Sequence, residues 1–257
     1  MRVSLAAHAL GAAAVAAAPQ FWPEVLAVLT SNHAALTCGM FPRSAMLGPN
    51  LRRLPPAQQG HVVLTFDDGP HPEVTPRVLD ILDSFGAKAS FFVIGERVER
   101  HPQLVRELLR RGHGVENHTH HHPKGFACRG PLGQWREIDR AQKAIEAACG
   151  QAPRFFRAPM GLRNPLLDPV LAATGLQLVS WTRRGFDTRR QEPAAVLGRL
   201  SRGLASGDIL LLHDGSSARD GEGRPLVLEV LPDLLRKIAG AGLKASSLAV
   251  LPRPSAA

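Results

Sequence analysis

The chain has no tyrosine, its aromatics make up only 5%, and it holds just three cysteines in 257 residues. An odd number of cysteines (Cys38, Cys128 and Cys149) with no Cys-x-x-Cys pair gives neither a zinc-finger pattern nor a disulfide framework. A Cys128–Cys149 bridge is left open. A nucleic-acid surface would cluster basic residues on one face with aromatics between them. Here the arginines are scattered and the aromatics sparse, so no nucleic-acid partner is expected. Apolar runs are also short, and none reaches the ~20 residues of a membrane-spanning helix. No internal repeat is visible.

What is present describes a globular chain long enough for one sizeable α/β domain, with 44% hydrophobic and 21% charged residues. The net charge of +9 suits a surface that meets anionic envelope polymers or lipid head groups. Residues 1–18 have a basic start, an Ala/Leu-rich stretch and small residues before Pro19, in the manner of a signal peptide, although Pro19 is a poor context for cleavage. A second apolar stretch, Val25 to Met40, is interrupted by Ser31, Asn32 and His33. With Phe21-Trp22-Pro23 between them, the two could form a membrane-associated hairpin. Arg2 on one side and Arg43, Arg52 and Arg53 on the other would then hold both ends in the cytoplasm. A cleaved or anchoring signal would instead export the rest of the chain. The bland alternative is two helices packed on the domain. We divide the chain into an apolar segment and linker, 1–54, and a catalytic domain, 55–257, with membrane association expected through residues 1–50.

From residue 61 strand and helix patterns alternate. Strands are predicted at 61–68, 89–95, 114–119, 155–159, 177–182 and 208–213, with a weaker one near 243–251. Helices are predicted at 75–85, 97–111, 134–148, 166–174, 193–205 and 226–240. Repeated βα units imply a parallel sheet, open or closed into a barrel, and barrel active sites sit at the C-terminal ends of strands.

Polar residues gather at those ends. The first strand runs into Asp67-Asp68-Gly69-Pro70. Neighbouring side chains on a strand point to opposite faces, so one carboxylate can bind a cation while the other stays free as a base. A lone Asp-Asp-Gly is more often a turn. The third strand runs into Asn117-His118-Thr119-His120-His121-His122-Pro123. His118 and His122, four apart, would share one side of a helical turn, and two imidazoles with a carboxylate make a zinc-type catalytic set. His120 and His121 are competing ligands. Arg157-Ala158-Pro159-Met160-Gly161, Trp181 through Asp187, and Leu211-Leu212-His213 follow at later strand ends. Taken singly, Arg157 reads as a surface ion-pair former and His213 as a core histidine.

Together these five stretches resemble the polysaccharide deacetylase family (carbohydrate esterase family 4, the NodB-homology domain) over about residues 60–250. The family's Thr-Phe-Asp-Asp-Gly motif stands here as Thr65–Gly69, its His-Thr-x-x-x-His as His118–His122, its Arg-x-Pro-x-Gly as Arg157–Gly161, and its Leu-x-His as Leu211–His213. Its Trp-x-x-Asp-x-x-Asp-Trp motif is altered. Trp181 and Asp187 are kept, while Arg184 replaces the first aspartate and Thr188 the second tryptophan. That departure touches the substrate wall and leaves the catalytic set intact.

The resemblance implies a distorted (β/α)7 barrel, here preceded by the apolar helical segment. It implies Asp68, His118 and His122 as ligands of one divalent metal, zinc first with cobalt, nickel or manganese as options, and Asp67 as the base. His213 would protonate the leaving amine, Arg157 would orient Asp67, and Asp187 would orient His213. Trp181, Leu211 and Pro159 would form the substrate pocket. The implied activity is hydrolytic removal of N-acetyl groups from N-acetylglucosamine-type saccharides at the cell envelope. The alternatives are a deacylase of a lipid-linked amino sugar (a glycolipid) or another non-peptide amide, an inactive sugar-binding barrel, and a non-enzymatic membrane scaffold.

Overall fold

The computed structural model describes the backbone of residues 2–252 and side chains from residue 6 onward; the side chain of Arg2 lies outside the described residues. Eight strands form one parallel sheet. They are β1 (His61–Asp67), β2 (Ser90–Val93), β3 (Gly114–Asn117), β4 (Phe155–Phe156), β5 (Gln177–Leu178), β6 (Arg183–Arg184), β7 (Ile209–His213) and β8 (Lys244–Ser246). The order is β5-β4-β3-β2-β1-β7-β6, with β8 paired to the start of β1. The expected βα barrel is therefore present and incomplete, since edge strands β5 and β6 do not pair with each other.

Alternation along the strands sorts side chains between two apolar clusters. On β1, Val62, Leu64 and Phe66 face the surrounding helices, among them α3 (Val74–Ser84) and, near the C-terminus, α9 (Leu226–Gly240). Val63 faces the barrel interior with Phe92, Phe155, Val179 and Ile209. The same period carries Thr65 and Asp67 inward on β1. On β7, Leu210 and Leu212 pack outward while Ile209 packs inward, which puts Leu211 and His213 on the inner face. Parallel register then sets Asp67 beside His213 and Thr65 beside Leu211. The sheet thus delivers two polar groups to one end of the barrel axis.

Several boundaries differ from the sequence reading. The helix expected over 97–111 is two helices, α4 (Gly95–Arg100) and α5 (Pro102–Arg110), broken at His101. Pro102 has no N–H to continue a helix and restricts the residue before it, and His101 is extended at φ −134°. The strand expected over 177–182 ends at Leu178, and a separate β6 pairs with β7. Past Leu178 the ladder is taken over by the chain ahead of β1. Leu51 donates to the Leu178 carbonyl and accepts from Ser180 N–H, both at 2.9 Å. Arg53 bridges to Asp208. The stretch read as a linker therefore lies across the opening between β5 and β7.

Two helices, α1 (Arg2–Ala17) and α2 (Trp22–Met40), are joined by a 3-10 turn at Pro19–Phe21. They meet where Gly11 approaches Val25 and Leu29 and where the His8 and His33 rings lie 5.0 Å apart. Leu10, Phe21, Trp22, Leu26 and Val28 remain exposed, and Gly39 is the one buried residue of α2. Among the described residues no helix is long and apolar enough to cross a membrane. The three cysteines are free thiols. Cys128 precedes the 19-residue helix α6 (Pro131–Cys149) and Cys149 ends it, so roughly 28 Å of helix at 1.5 Å per residue separates them.

Candidate active site

β1 stops at Asp67, and Asp68 follows with φ +71°. This left-handed residue undoes the alternation expected of neighbouring strand side chains, and both carboxylates face one cleft. Among the described residues, five non-glycine positions have positive φ: Asp68, Thr119, His122, Met160 and Phe186. All lie in loops at or beside that cleft, where backbone strain is held by the surrounding packing.

The loop after β3 is not the helical turn that the His118/His122 spacing suggested. Thr119 and His122 both take positive φ, and Thr119 N–H donates to Asn117 Oδ1 at 2.9 Å. The loop curls so that both imidazoles meet Asp68 anyway. Asp68 Oδ1 lies 3.4 Å from His118 Nε2 and 3.4 Å from His122 Nε2. The competing histidines turn away. His120 is buried with Nε2 3.7 Å from Glu99, and His121 Nδ1 pairs with Glu137 at 3.0 Å.

The donor set fits a metal ion. The three ligand atoms lie within 4.8 Å of one another, and Asp68 Oδ1 is buried with no hydrogen-bond partner. Tetrahedral ligands about 2.1 Å from one zinc-sized ion would sit roughly 3.4 Å apart, which is the spacing found from Asp68 Oδ1 to each imidazole. His118 Nδ1 donates to the Arg157 carbonyl at 2.8 Å, which fixes the tautomer and leaves Nε2 free for the ion. Ser216 Oγ donates to Asp68 Oδ2, and Arg97 donates to the Asp68 carbonyl at 2.7 Å. Burial opposes charge on Asp68, yet the imidazole of His118 beside it, with His213 and His122 nearby, holds its carboxyl well below the usual range. Burial likewise works against a charged His118, but Asp67 and Asp68 outweigh it and raise its pKa.

On the other side of the cleft, Arg157 is buried rather than on the surface. Its Nη1 contacts Asp67 Oδ1 at 2.6 Å and Thr65 Oγ1 at 2.9 Å, while Nε and Nη2 donate to the Val179 and Ser180 carbonyls. Its guanidinium stacks 4.0 Å from the Phe92 ring centroid. Asp67 Oδ2 faces the histidines, 3.8 Å from His118 Nε2. Across the β1–β7 register, His213 Nδ1 bonds Asp187 Oδ1 at 2.9 Å, and His213 N–H donates to Asp187 Oδ2 at 2.8 Å. One carboxylate thereby fixes both backbone and ring. Burial alone would lower the His213 pKa, but Asp187, then Asp67 and Asp68, raise it.

These groups share a cavity of about 170 Å³ lined by Asp67, Asp68, His118, His122 and His213, with Trp181 and Leu211 on its wall. Ligand pockets of ~300–1,000 Å³ enclose whole drug-sized molecules, so this one suits a small group projecting from a larger ligand. Met160, Gly161, Arg184 and Thr188 complete the lining. Pro159, expected in the pocket, is instead buried at the start of a 3-10 turn, Pro159–Gly161. The turn presents the two residues after it, and Met160 has φ +57°. Sequence reasoning also missed Ser216 and Thr75, and gave no role to Asp214 in the stretch Leu210–Gly215. Thr75 Oγ1 donates to buried Asp214, whose carboxyl is pushed up to about 7, first by burial, with Asp68 adding to the rise.

The family model for polysaccharide deacetylase matches residues 55–179. A chitooligosaccharide deacetylase of Sinorhizobium fredii is 40% identical over 168 residues, 64% of this chain and 78% of that protein. A peptidoglycan-N-acetylglucosamine deacetylase of Bacillus cereus is 33% identical over 184 residues, 71% of this chain and 85% of the relative. Among solved structures, a family 4 carbohydrate esterase from Streptomyces lividans in complex with acetate superimposes with a TM-score of 0.65. It is 34% identical, with 72% of this chain and 91% of the esterase covered. Sequence, fold and site agree, and the chain belongs to the polysaccharide deacetylase family.

Proposed function

We propose that this protein is a metal-dependent hydrolase that removes acetyl groups from N-acetylglucosamine-type saccharides. The observation that carries the reading is the pairing of Asp67 and His213 across the β1–β7 register, on the rim of the Asp68–His118–His122 cluster. The reaction adds water across an acetamide C–N bond and yields acetate and a free amine. It needs a base for the water, a charge-stabilising group for the carbonyl oxygen and an acid for the amine.

Asp68, His118 and His122 would hold the metal, zinc by the fit of two imidazoles and one carboxylate, with cobalt, nickel or manganese as substitutes. Bound there, such an ion acidifies water and polarises a carbonyl. Asp67, oriented through Oδ1 by Arg157, has Oδ2 free to take the water's proton. With Nδ1 turned to Asp187, His213 points Nε2 the other way, and its raised proton affinity suits it to donate to the departing nitrogen. Trp181 and Leu211 support an apolar wall for the acetyl methyl. The inactive-barrel alternative expects loss of the base or of a ligand, and all five groups are present. A lipid-linked substrate remains the second reading, motivated by the exposed apolar hairpin of residues 6–40.

We further propose a division in which residues 1–54 attach the protein at the cell envelope and residues 55–257 carry catalysis. Sedimentation with lipid vesicles tests the attachment, and free solubility of the full chain would oppose it. The activity is tested by acetate release from neutral and acidic N-acetylated glycans before and after chelation. Metal-dependent release supports the reading; no release from any glycan in the metal-loaded protein would refute it.

A further inference from the structure

We infer that the cleft wall carrying Arg184 selects glycans with an anionic group, a carboxylate or a phosphate, close to the N-acetyl unit under attack. The inference deepens the deacetylase reading and rests on it. Arg184 stands where the family motif has an aspartate, so the wall is reversed in charge. Its side chain lines the catalytic cavity. It also borders two larger grooves, of about 570 and 590 Å³, one lined by Arg43 and Phe186 and the other by Arg199 and Arg202. Arg184 is thus the junction between the reacting group and the surface on which the rest of a glycan would lie.

The charge at this junction has no direct ion-pair partner. Among the described residues, no carboxylate comes within ion-pair distance of Arg43, Arg184, Arg189 or Arg199, whereas neighbouring Arg183 pairs with Asp208 at 2.6 Å. Asp187 and Asp208, which flank this wall, are already committed to His213 and to Arg53 and Arg183. Arg184 Nε is buried without a hydrogen-bond partner, and Arg184 repels the buried Arg157. Its guanidinium is held over rings instead, 5.5 Å from the Trp181 centroid and 5.0 Å from that of Phe186. Arg189 and Arg199 approach the same Phe186 ring at 5.7 and 6.0 Å. Stacking of this kind orients the Arg184 guanidinium while leaving its two Nη groups without a protein partner among the described residues, the arrangement that suits bidentate recognition of a carboxylate or phosphate. Several arginines around one aromatic, beside a catalytic cavity and with none of them ion-paired, are poor packing for its own sake and a good anion subsite.

The test compares kcat/KM for acetate release from three forms of one chitooligosaccharide: unmodified, bearing a C6 carboxylate, and bearing a C6 phosphate. One partly exposed ion pair predicts a preference of about two- to fivefold for an anionic form over the neutral one, shrinking as salt is raised. Preference for the carboxylate alone or the phosphate alone supports the subsite and identifies the source. The preference should be lost in Arg184→Gln and retained in part in Arg184→Lys, with both variants melting like the parent. Equal rates on all three forms, or an unchanged preference in Arg184→Gln, would overturn the inference while leaving the deacetylase reading in place. Calorimetric binding of the same three compounds separates the opposite case. Selective binding of an anionic form without acetate release would keep the anion subsite and refute the deacetylase reading; no selectivity in binding or in rate refutes the subsite.

Discussion

Arg157 Nη1 sits 2.6 Å from Asp67 Oδ1, and both residues are almost wholly buried. An ion pair this deep is costly to leave half-made. Removing one partner typically costs about 3–5 kcal/mol, because the other charge stays buried and unpaired. Arg157→Ala should therefore lower the stability of the protein by roughly that amount, read by urea denaturation. Arg157→Ala with Asp67→Asn should be less destabilised than the sum of the single changes. Strict additivity would mean that the pair is not coupled.

Gly161 controls the pocket wall. It has φ +74°, and an added Cβ would lie 2.5 Å from the Trp181 ring and 2.7 Å from Pro42. Gly161→Ala should displace Trp181 and reduce kcat/KM by roughly ten- to a hundredfold, the scale of an ångström-level misplacement. Metal content should be unchanged, since no ligand is touched. Loss of metal in this variant would show that the wall and the metal cluster are not separable.

Acid sensitivity should come partly from a residue far from the cleft. His113 is buried and its Nδ1 accepts from Ala89 N–H at 3.2 Å. Burial, then repulsion from Lys88, pushes its pKa down to about 4, against about 6.5 in an unfolded chain. Between those values the unfolded state binds the extra proton. This residue's contribution is thus fully present above about pH 6.5 and is lost as the pH falls toward 4. The full span corresponds to about 3 kcal/mol. His113→Asn should flatten the decline in urea midpoint between pH 7 and pH 4.5. An equally steep decline in the variant would remove His113 as its cause.

The segment before β1 makes a separable contribution. Leu54 is buried, Leu51 takes the edge of β5, Arg163 donates to the Ser44 carbonyl at 2.7 Å, and Ser180 Oγ donates to that of Pro42. A chain starting at residue 41 should keep these contacts. A chain starting at residue 55 should lose about 3 kcal/mol, from apolar burial of the two leucines, or roughly 6–12 °C in Tm. Equal melting temperatures would make the segment a passive linker.

Periodicity made most of the barrel legible, because Val62, Leu64 and Phe66 alternate with Val63 and Thr65 in the sequence as they do in space. The local motifs were legible as well, since a strand followed by Asp67-Asp68-Gly69 or by His213 can put its polar end only at the top of a parallel sheet. Backbone choices were less visible. Nothing in the residue types announces that Asp68 and His122 take positive φ, so both the opposed carboxylates and the helical His118/His122 turn were wrong in geometry, although Asp68, His118 and His122 do come together. Long-range pairings were hidden too. Leu51 meets Val179 at a sequence separation of 128, and Ser216 reaches Asp68 only because β7 lies beside β1. The one motif that departs from the family pattern, around Arg184, is the basis of the anion-subsite proposal. Its meaning depends on the absence of an ion-pair partner nearby, which only the fold could show.

The central claim is the division of labour within Asp67-Asp68, and one paired measurement tests it most directly: metal content and acetate release in Asp67→Asn and Asp68→Asn. Asn keeps the shape of Asp and removes its charge and basicity. Asp67→Asn should retain about one metal ion per chain while acetate release slows by roughly 10²–10⁴, the range of a lost general base. Asp68→Asn should lose most of its metal, since it removes the one anionic ligand of three. Loss of metal in Asp67→Asn with retention in Asp68→Asn would contradict the account.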